Sequence, residues 1–146
     1  MGLAYLRLGG MANLRMAFQE FSKTAELNPN FLDAQVKLGE FFLLSRQFEK
    51  AQEKAEYILL KDPMNLEGQI LLTNIYVRKK DFNKAIILIK KALEAHKDSI
   101  KAYMTMAAIY LAQKDFVSAE QTFEKATSIN NDAIKPRLGL VNLYFL

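Results

Sequence analysis

The sequence has 146 residues, of which 51% are hydrophobic and 25% are charged, and its net charge is +4. Ten Phe and six Tyr exclude a disordered chain, because disordered segments are poor in aromatic and branched apolar residues. With no Cys, the chain can form no disulfide bond and no metal site with cysteine ligands. No apolar run approaches the roughly 18 residues that a membrane-spanning helix needs. The start of the sequence lacks the charged segment of a signal peptide, so the compartment stays open.

The chain repeats itself at a fixed spacing. A fixed period of this kind is typical of repeat architectures, in which each repeat is one small structural unit packed on its neighbours. Four independent columns keep the same period, which excludes a chance similarity. The columns are Leu38, Leu72, Met106 and Leu140; Phe42, Tyr76, Tyr110 and Tyr144; Phe48, Phe82 and Phe116; and Ala51, Ala85 and Ala119.

Each unit of the repeat predicts two helices with a tight turn between them. Leu38 and Phe42 lie on one helix face, and Phe48 and Ala51 begin a second apolar pattern with helical spacing. Polar residues between the two patterns predict the turn. Pro, Asn, Asp or Ser at the junctions between units stop one helix and cap the next. The aromatic and Met positions are expected to form the packed core, not a cofactor site.

In chain order, the pattern predicts a single array of helix pairs. The first copy is partial and carries three extra residues, which predict a longer turn. The segments are residues 1–31 as the partial first repeat, with the longer turn around Gly9-Gly10-Met11-Ala12-Asn13; residues 32–65, 66–99 and 100–133 as repeats; and residues 134–146 as the start of a further repeat.

The last stretch of the sequence, residues 138–146, is strongly apolar. A terminal repeat normally presents a polar outer face to water, and this one does not. One interpretation is that the sequence is a segment of a longer repeat protein. The other is that exposed terminal helices pair with a second copy of the chain, which gives a homo-oligomer.

These columns resemble the tetratricopeptide repeat (TPR), whose unit of about 34 residues matches the period of this chain. The similarity covers essentially the whole chain. Its departures lie at the position where the family prefers Trp, which holds Gln35, Gln69 and Tyr103 here. In the repeat 32–65 the motif is carried by Leu38, Gly39, Phe42, Ala51 and Pro63.

The resemblance implies an all-α fold, a right-handed superhelical solenoid of antiparallel helix pairs whose concave wall is lined by the first helix of each pair. It also implies a non-catalytic scaffold for protein–protein interaction. Packing fixes the core columns, so the remaining first-helix positions would form an apolar groove for an apolar or amphipathic peptide. We predict that the partner-binding residues are Val36, Glu40, Leu43, Ile70, Asn74, Val77, Arg78, Lys101, Met104 and Leu111.

Some members of the family grip the C-terminal carboxylate of a partner with a Lys and Asn pair on the first helix. The corresponding pairs here are Val36 with Glu40, Ile70 with Asn74, and Met104 with Ala108. The basic member is missing from each pair, and Glu40 would repel a carboxylate. The sequence therefore disfavours that mode of binding.

The sequence offers no catalytic centre. His96 is the only histidine, and it lies with Asp98 and Ser99 in one short junction, whereas a nucleophilic triad needs partners that converge from separate segments. The six Gly form neither a phosphate-binding loop nor a dinucleotide fingerprint. We therefore expect no enzyme activity, no cofactor and no metal.

Positive charge is concentrated between Arg78 and Lys101, because this segment contains eight basic residues and only three acidic ones. Nucleic acid is a disfavoured partner, because the aromatic residues that would stack on bases occupy packing columns. An acidic protein or an anionic lipid surface is the alternative partner for this segment. A purely architectural role in a larger multi-repeat protein is the other alternative to peptide binding.

Overall fold

The computed structural model describes residues 11–145, and this part of the chain contains eight α-helices and no strand. The prediction of an all-α helical repeat is confirmed. The helices are α1 (Met11–Leu27), α2 (Leu32–Leu44), α3 (Phe48–Lys61), α4 (Leu66–Arg78), α5 (Phe82–Ala95), α6 (Ile100–Ala112), α7 (Phe116–Ile129) and α8 (Ile134–Tyr144).

The helices keep the period of the sequence. First helices begin at Leu32, Leu66, Ile100 and Ile134, and the three spacings between these starts are equal. The predicted first helix of the partial repeat and the turn at residues 9–10 lie outside the described residues. The turn was expected to reach Asn13, but the structure has residues 11–13 inside α1, where the good helix formers Met11, Ala12 and Leu14 surround Asn13.

The turns inside the three complete pairs each contain a residue with positive φ: Arg46 (59°), Lys80 (61°) and Lys114 (62°). The N–H of the next residue donates to the carbonyl five positions earlier, as from Asp115 to Tyr110 at 2.9 Å. This bond satisfies a carbonyl that the end of the helix leaves without a partner. The turn can therefore be short, and the second helix folds back at once.

The chain forms two compact units, an N-terminal unit (Met1–Ile75) and a C-terminal unit (Tyr76–Leu146). In the N-terminal unit α2 packs against both α1 and α3. The Phe18 ring meets Phe41 and Phe42 edge-on, with both centroid distances at 5.7 Å. The buried cluster beside these rings confirms that this apolar pattern is core, and it consists of Ala17, Phe21, Ala25, Ala34 and Leu38.

A close approach of α2 and α4 in the N-terminal unit depends on Gly39. A Cβ atom at this position would overlap the Leu71 side chain and would lie 3.3 Å from Lys54 Cβ. Only a residue without a side chain allows Leu71 to pack against the backbone of α2.

In the C-terminal unit α7 packs against α6 and α8, and α6 packs against α5. Gly139 of α8 lies directly against the Phe123 ring. A Cβ atom at this position would come within 2.5 Å of Phe123 Cε1. The core is centred on α6 and α7, where Ala107, Ala119 and Phe123 are buried. Each unit thus has its own buried cluster.

Two buried glutamines hold the turns that precede the first helices of the N-terminal unit. Gln35 Nε2 donates to the Pro29 carbonyl at 3.3 Å, and Gln69 Nε2 donates to the Pro63 carbonyl at 3.0 Å. Gln69 is only 1% exposed. Among the described residues, the Oε1 atoms of both side chains have no hydrogen-bond partner. A glutamine at the position where the TPR prefers Trp therefore acts as a polar clamp.

Replacing Lys114 by Gly is expected to raise the free energy of unfolding by about 0.5–1 kcal/mol, because Gly adopts positive φ without the steric cost of a Cβ. Gln113, one residue earlier, has helical backbone angles of φ −87° and ψ −4°. Gln113→Gly is therefore expected to lower the free energy of unfolding. Urea unfolding followed by circular dichroism measures both changes. Equal losses in the two variants would contradict the role assigned to the turn.

Gln69→Glu is expected to lower the free energy of unfolding at pH 7 by about 3 kcal/mol, because it buries a carboxylate without a cationic partner. Burial raises the pKa of the new carboxyl above its unfolded value of about 4.3. The loss should therefore be small below about pH 4 and should grow as the pH rises.

Gln19→Glu is the control for this change, since Gln19 is exposed on α1. It adds the same charge without burial, so its effect on stability should be small at every pH. Urea unfolding at several pH values measures both variants. A loss for Gln69→Glu that stays constant with pH would rule out the buried charge as its cause.

Candidate functional site

The predicted partner-binding residues of the N-terminal unit are two buried side chains and three half-buried ones. Val36 and Ile70 are each only 4% exposed. Glu40, Leu43 and Asn74 are half-buried, and the Glu40 carboxylate accepts a hydrogen bond from Lys37 Nζ at 2.7 Å. The sequence could not distinguish Val36 and Ile70 from surface positions, because their burial depends on how closely neighbouring helices approach. These two side chains are not available to a partner.

The predicted residues of the C-terminal unit are more accessible. Val77 is half-buried and Arg78 is exposed at the end of α4. Lys101, Met104 and Leu111 follow the helical period on α6, so they share one side of that helix, the α6 inner face. Lys101 is exposed. Met104 and Leu111 are half-buried, since they also pack against the core cluster of this unit.

Helix α8 and the residue after it carry a row of exposed apolar side chains, the α8 stripe. Its members are 47–86% exposed, although their side chains are large and apolar. Their spacings of four, three and four residues place them on one face of the helix. Leu140, on a different face, packs against the core of the C-terminal unit. The α8 stripe consists of Ile134, Leu138, Val141 and Phe145.

Two basic residues flank the α8 stripe. Lys135 and Arg137 are exposed in the first turn and a half of α8, and the helix contains no acidic residue. Tyr144 is 67% exposed, and its hydroxyl donates to Glu120 Oε1 of α7 at 2.5 Å. This hydrogen bond is the main reason why the pKa of Tyr144 lies above its ordinary value of 10.0. It ties the end of α8 to α7.

A second surface of the C-terminal unit is a groove of about 710 Å³ between α5 and α7, with α6 as its floor. We call it the lysine groove. It is lined by Lys90 and Glu94 of α5, by Lys97 just after that helix, and by polar residues of α7. Its basic and floor residues are Lys90, Lys97, Lys125, Tyr103, Met106 and Tyr110.

The lysine groove and the α6 inner face use different sides of α6. Tyr103, Met106 and Tyr110 recur at spacings of three and four residues, which places them on one side of the helix. Met104 and Leu111 project on average about a third of a turn away from them at the helical angle of about 100° per residue. One helix therefore contributes to two separate surfaces.

The charges of the lysine groove are not neutralised within the described residues. Lys90 and Lys97 are exposed and have no ion pair in this part of the chain. Lys125 Nζ lies 6.0 Å from the centroid of the Tyr103 ring. Glu94 is the single carboxylate among the described residues that line the groove. Lys84, outside the groove, is instead paired with Asp81 at 2.9 Å.

The lysine groove could not be recognised from the sequence. The excess of positive charge between residues 78 and 101 is visible in the sequence, but the sequence does not show which of these lysines share a groove. Lys90 lies on α5 and Lys97 lies in the junction after that helix, so helical spacing could not relate them. Lys125 comes from the following repeat, so the pattern of a single repeat could not include it.

Helix α7, which forms one wall of the lysine groove, is capped at its N-terminus by Asp115. The Asp115 carboxylate accepts a hydrogen bond from the backbone N–H of Ser118 at 3.1 Å at the start of α7. This interaction with Ser118 holds the pKa of Asp115 below its ordinary 3.8. Ser118 itself lines the groove. The cap therefore fixes the end of α7 that faces the groove.

The described part of the chain contains no chemistry of a metal centre. No group of three or more His, Asp and Glu side chains in residues 11–145 is placed to hold a metal ion. Within the same residues, none of the helices has the length and apolar character needed to cross a membrane. The two surface features of the C-terminal unit are thus an apolar helix face and a basic groove.

Comparison with protein families gives one match, to the tetratricopeptide repeat protein 21 C-terminal ARM domain, over residues 4–140. No curated protein sequence matches the chain significantly. A similar solved structure is TTC0263, a thermophilic TPR protein of Thermus thermophilus. The TM-score is 0.82 at 21% identity, with 99% of this chain and 82% of that chain covered.

Two further similar structures contain the first TPR domain of RPAP3. The human domain has a TM-score of 0.69 at 17% identity, covering 81% of this chain and 93% of that one. The domain of Spaghetti (RPAP3), bound to the HSP90 peptide SRMEEVD, has a TM-score of 0.65 at 17% identity, covering 78% and 90%. The resemblance inferred from the sequence is thereby confirmed, and the chain belongs to the family of the tetratricopeptide repeat protein 21 C-terminal ARM domain, a helical repeat of the TPR type.

Proposed function

We propose that this chain is a non-catalytic protein-interaction scaffold that binds an amphipathic segment of a partner protein. Repeats of this type typically act as scaffolds, because their stacked helices present extended binding surfaces. The observation that carries the proposal is the α8 stripe, a continuous row of large apolar side chains left exposed. Single exposed apolar residues are common on protein surfaces, but a row on one helix face marks an interaction site.

The charges beside the α8 stripe favour one kind of partner. Lys135 and Arg137 flank the apolar row, and α8 has no acidic residue. An amphipathic helix with an apolar face and acidic flanks would complement both features. The partner would bury its apolar face on the stripe and place its acidic residues beside the two basic ones. The α6 inner face would extend the same surface through Met104 and Leu111.

The structure of Spaghetti (RPAP3) bound to the HSP90 peptide gives a precedent for peptide binding by this fold. The mode proposed for the present chain differs in chemistry. The basic and Asn pairs that would grip a terminal carboxylate are missing at Val36, Ile70 and Met104, and Val36 and Ile70 are buried. Apolar burial would therefore supply most of the affinity here.

A purely architectural role is the second candidate, favoured by the same exposure of α8. In a larger multi-repeat protein, another repeat would cover the α8 stripe as α7 covers the opposite side of α8. The two candidate functions predict different results when a free peptide is added. A scaffold that binds a partner segment recognises a free peptide of the right pattern, and an architectural surface does not.

The test uses a synthetic amphipathic peptide with Leu at positions i, i+3, i+4 and i+7 and Glu at its flanks, compared with its scrambled sequence. We expect the patterned peptide to bind with micromolar affinity, about −8 kcal/mol. Leu138→Gln/Val141→Gln should weaken binding about tenfold, because both side chains lie in the stripe. Fluorescence anisotropy with the labelled peptide measures the affinity.

Ile87→Gln/Val117→Gln is the matched control, since Ile87 and Val117 are 70% and 66% exposed outside the stripe. It should leave the affinity within about twofold of the original protein. Equal binding of the scrambled peptide, or equal losses in both double variants, would overturn the proposed site. Val36 and Ile70 are unsuitable probes, because polar substitution of a buried side chain would unfold the chain.

A further inference from the structure

We propose that the lysine groove is a second binding site, which takes an acidic linear segment containing an aromatic residue from a partner protein. The site is separate from the α8 stripe, because the groove lies between α5 and α7 over α6 and none of its lining residues belongs to α8. Its volume of about 710 Å³ falls within the roughly 300–1,000 Å³ of protein clefts that bind ligands.

Charge complementarity selects an acidic occupant. Three ammonium groups, those of Lys90, Lys97 and Lys125, line the groove against one carboxylate, Glu94. None of the three lysines has an ion pair within residues 11–145. Carboxylates of a bound segment would supply the missing partners, because a cleft lined mainly by one sign of charge attracts the opposite charge.

The floor of the groove selects for an aromatic residue beside the acidic ones. Tyr103, Met106 and Tyr110 are half-buried and offer ring and thioether surface. Aromatic rings pair favourably with other rings and with sulfur. Lys125 already lies over the Tyr103 ring. An aromatic side chain of the partner would pack on this floor while its acidic neighbours meet the lysines.

The same features disfavour nucleic acid and a lipid surface. The rings of Tyr103 and Tyr110 belong to the floor and are half-buried, so they do not project to stack on successive bases. The lysines line a concave cleft, whereas attraction to a flat lipid surface needs a protruding basic face.

The N-terminal unit provides an internal comparison. A groove between α1 and α3 over α2 occupies the equivalent place, but its volume is only about 200 Å³. It is lined by one acidic residue, Glu26, and one basic residue, Lys54. Gln35 occupies the floor position that Tyr103 has in the lysine groove. Of these two grooves, the lysine groove therefore has both the larger volume and the unbalanced charge.

The experiment uses a decapeptide with a single Trp flanked by Glu residues, and the same peptide with Gln in place of Glu. The chain contains no Trp, so the emission of the peptide reports its environment directly. We expect the Glu peptide to bind with a blue shift of Trp emission, to lose affinity steeply with added salt, and to bind at least about tenfold more tightly than the Gln peptide.

Lys90→Glu/Lys97→Glu should weaken binding of the Glu peptide at least about tenfold. Both side chains are exposed, so the fold should be kept. Lys91→Glu/Lys114→Glu is the matched control, because it makes the same change in net charge at exposed lysines that do not line the groove. It should change the affinity by less than about threefold.

Equal effects of the two double variants would overturn the proposal, because the attraction would then be a property of net charge alone. So would tighter binding of a thymidine decanucleotide, or of vesicles with phosphatidylserine, than of the Glu peptide. Leu138→Gln/Val141→Gln should leave the affinity for the Glu peptide unchanged. The proposal for the lysine groove and the proposal for the α8 stripe can therefore be refuted separately.

Discussion

The whole structure depends on a small residue at one fixed position in alternate helices. Ala17, Ala51, Ala85 and Ala119 recur once per repeat in α1, α3, α5 and α7, and each is fully buried. A methyl group at this point lets a neighbouring helix approach closely, and the larger side chains beside it then fill the remaining space. The sequence therefore repeats at the same interval as this contact between neighbouring helices.

The sequence was sufficient for the fold because this contact is local. A column of alanines and a column of aromatic residues define helix faces, and the turns follow from the polar residues between them. The surface was harder to predict, because exposure depends on the distance between helices and not on one helix alone. Val36 and Ile70 have the spacing of surface positions, but they are buried. Lys90, Lys97 and Lys125 belong to two repeats, and only packing brings them to one groove.

The two proposed surfaces would recognise partners by different physical means. The α8 stripe would gain affinity from apolar burial, which chiefly slows dissociation. The lysine groove would attract acidic segments over a longer range, which chiefly speeds association and weakens as salt is added. Helix α6 would contribute to the groove through Tyr103, Met106 and Tyr110, and α8 would carry the apolar stripe. A scaffold with these surfaces could hold two different segments at once.

The glutamine clamps have a consequence for how the repeats depend on one another. Each clamp joins a first helix to the turn that closes the preceding helix, through Gln35 to Pro29 and through Gln69 to Pro63. Such bonds add nearest-neighbour coupling, so local unfolding of one helix releases the turn before it. In the C-terminal unit the same position holds Tyr103, whose ring forms part of the lysine groove. The position that couples neighbouring repeats in the N-terminal unit, through Gln35 and Gln69, therefore shapes a surface in the C-terminal unit, through Tyr103.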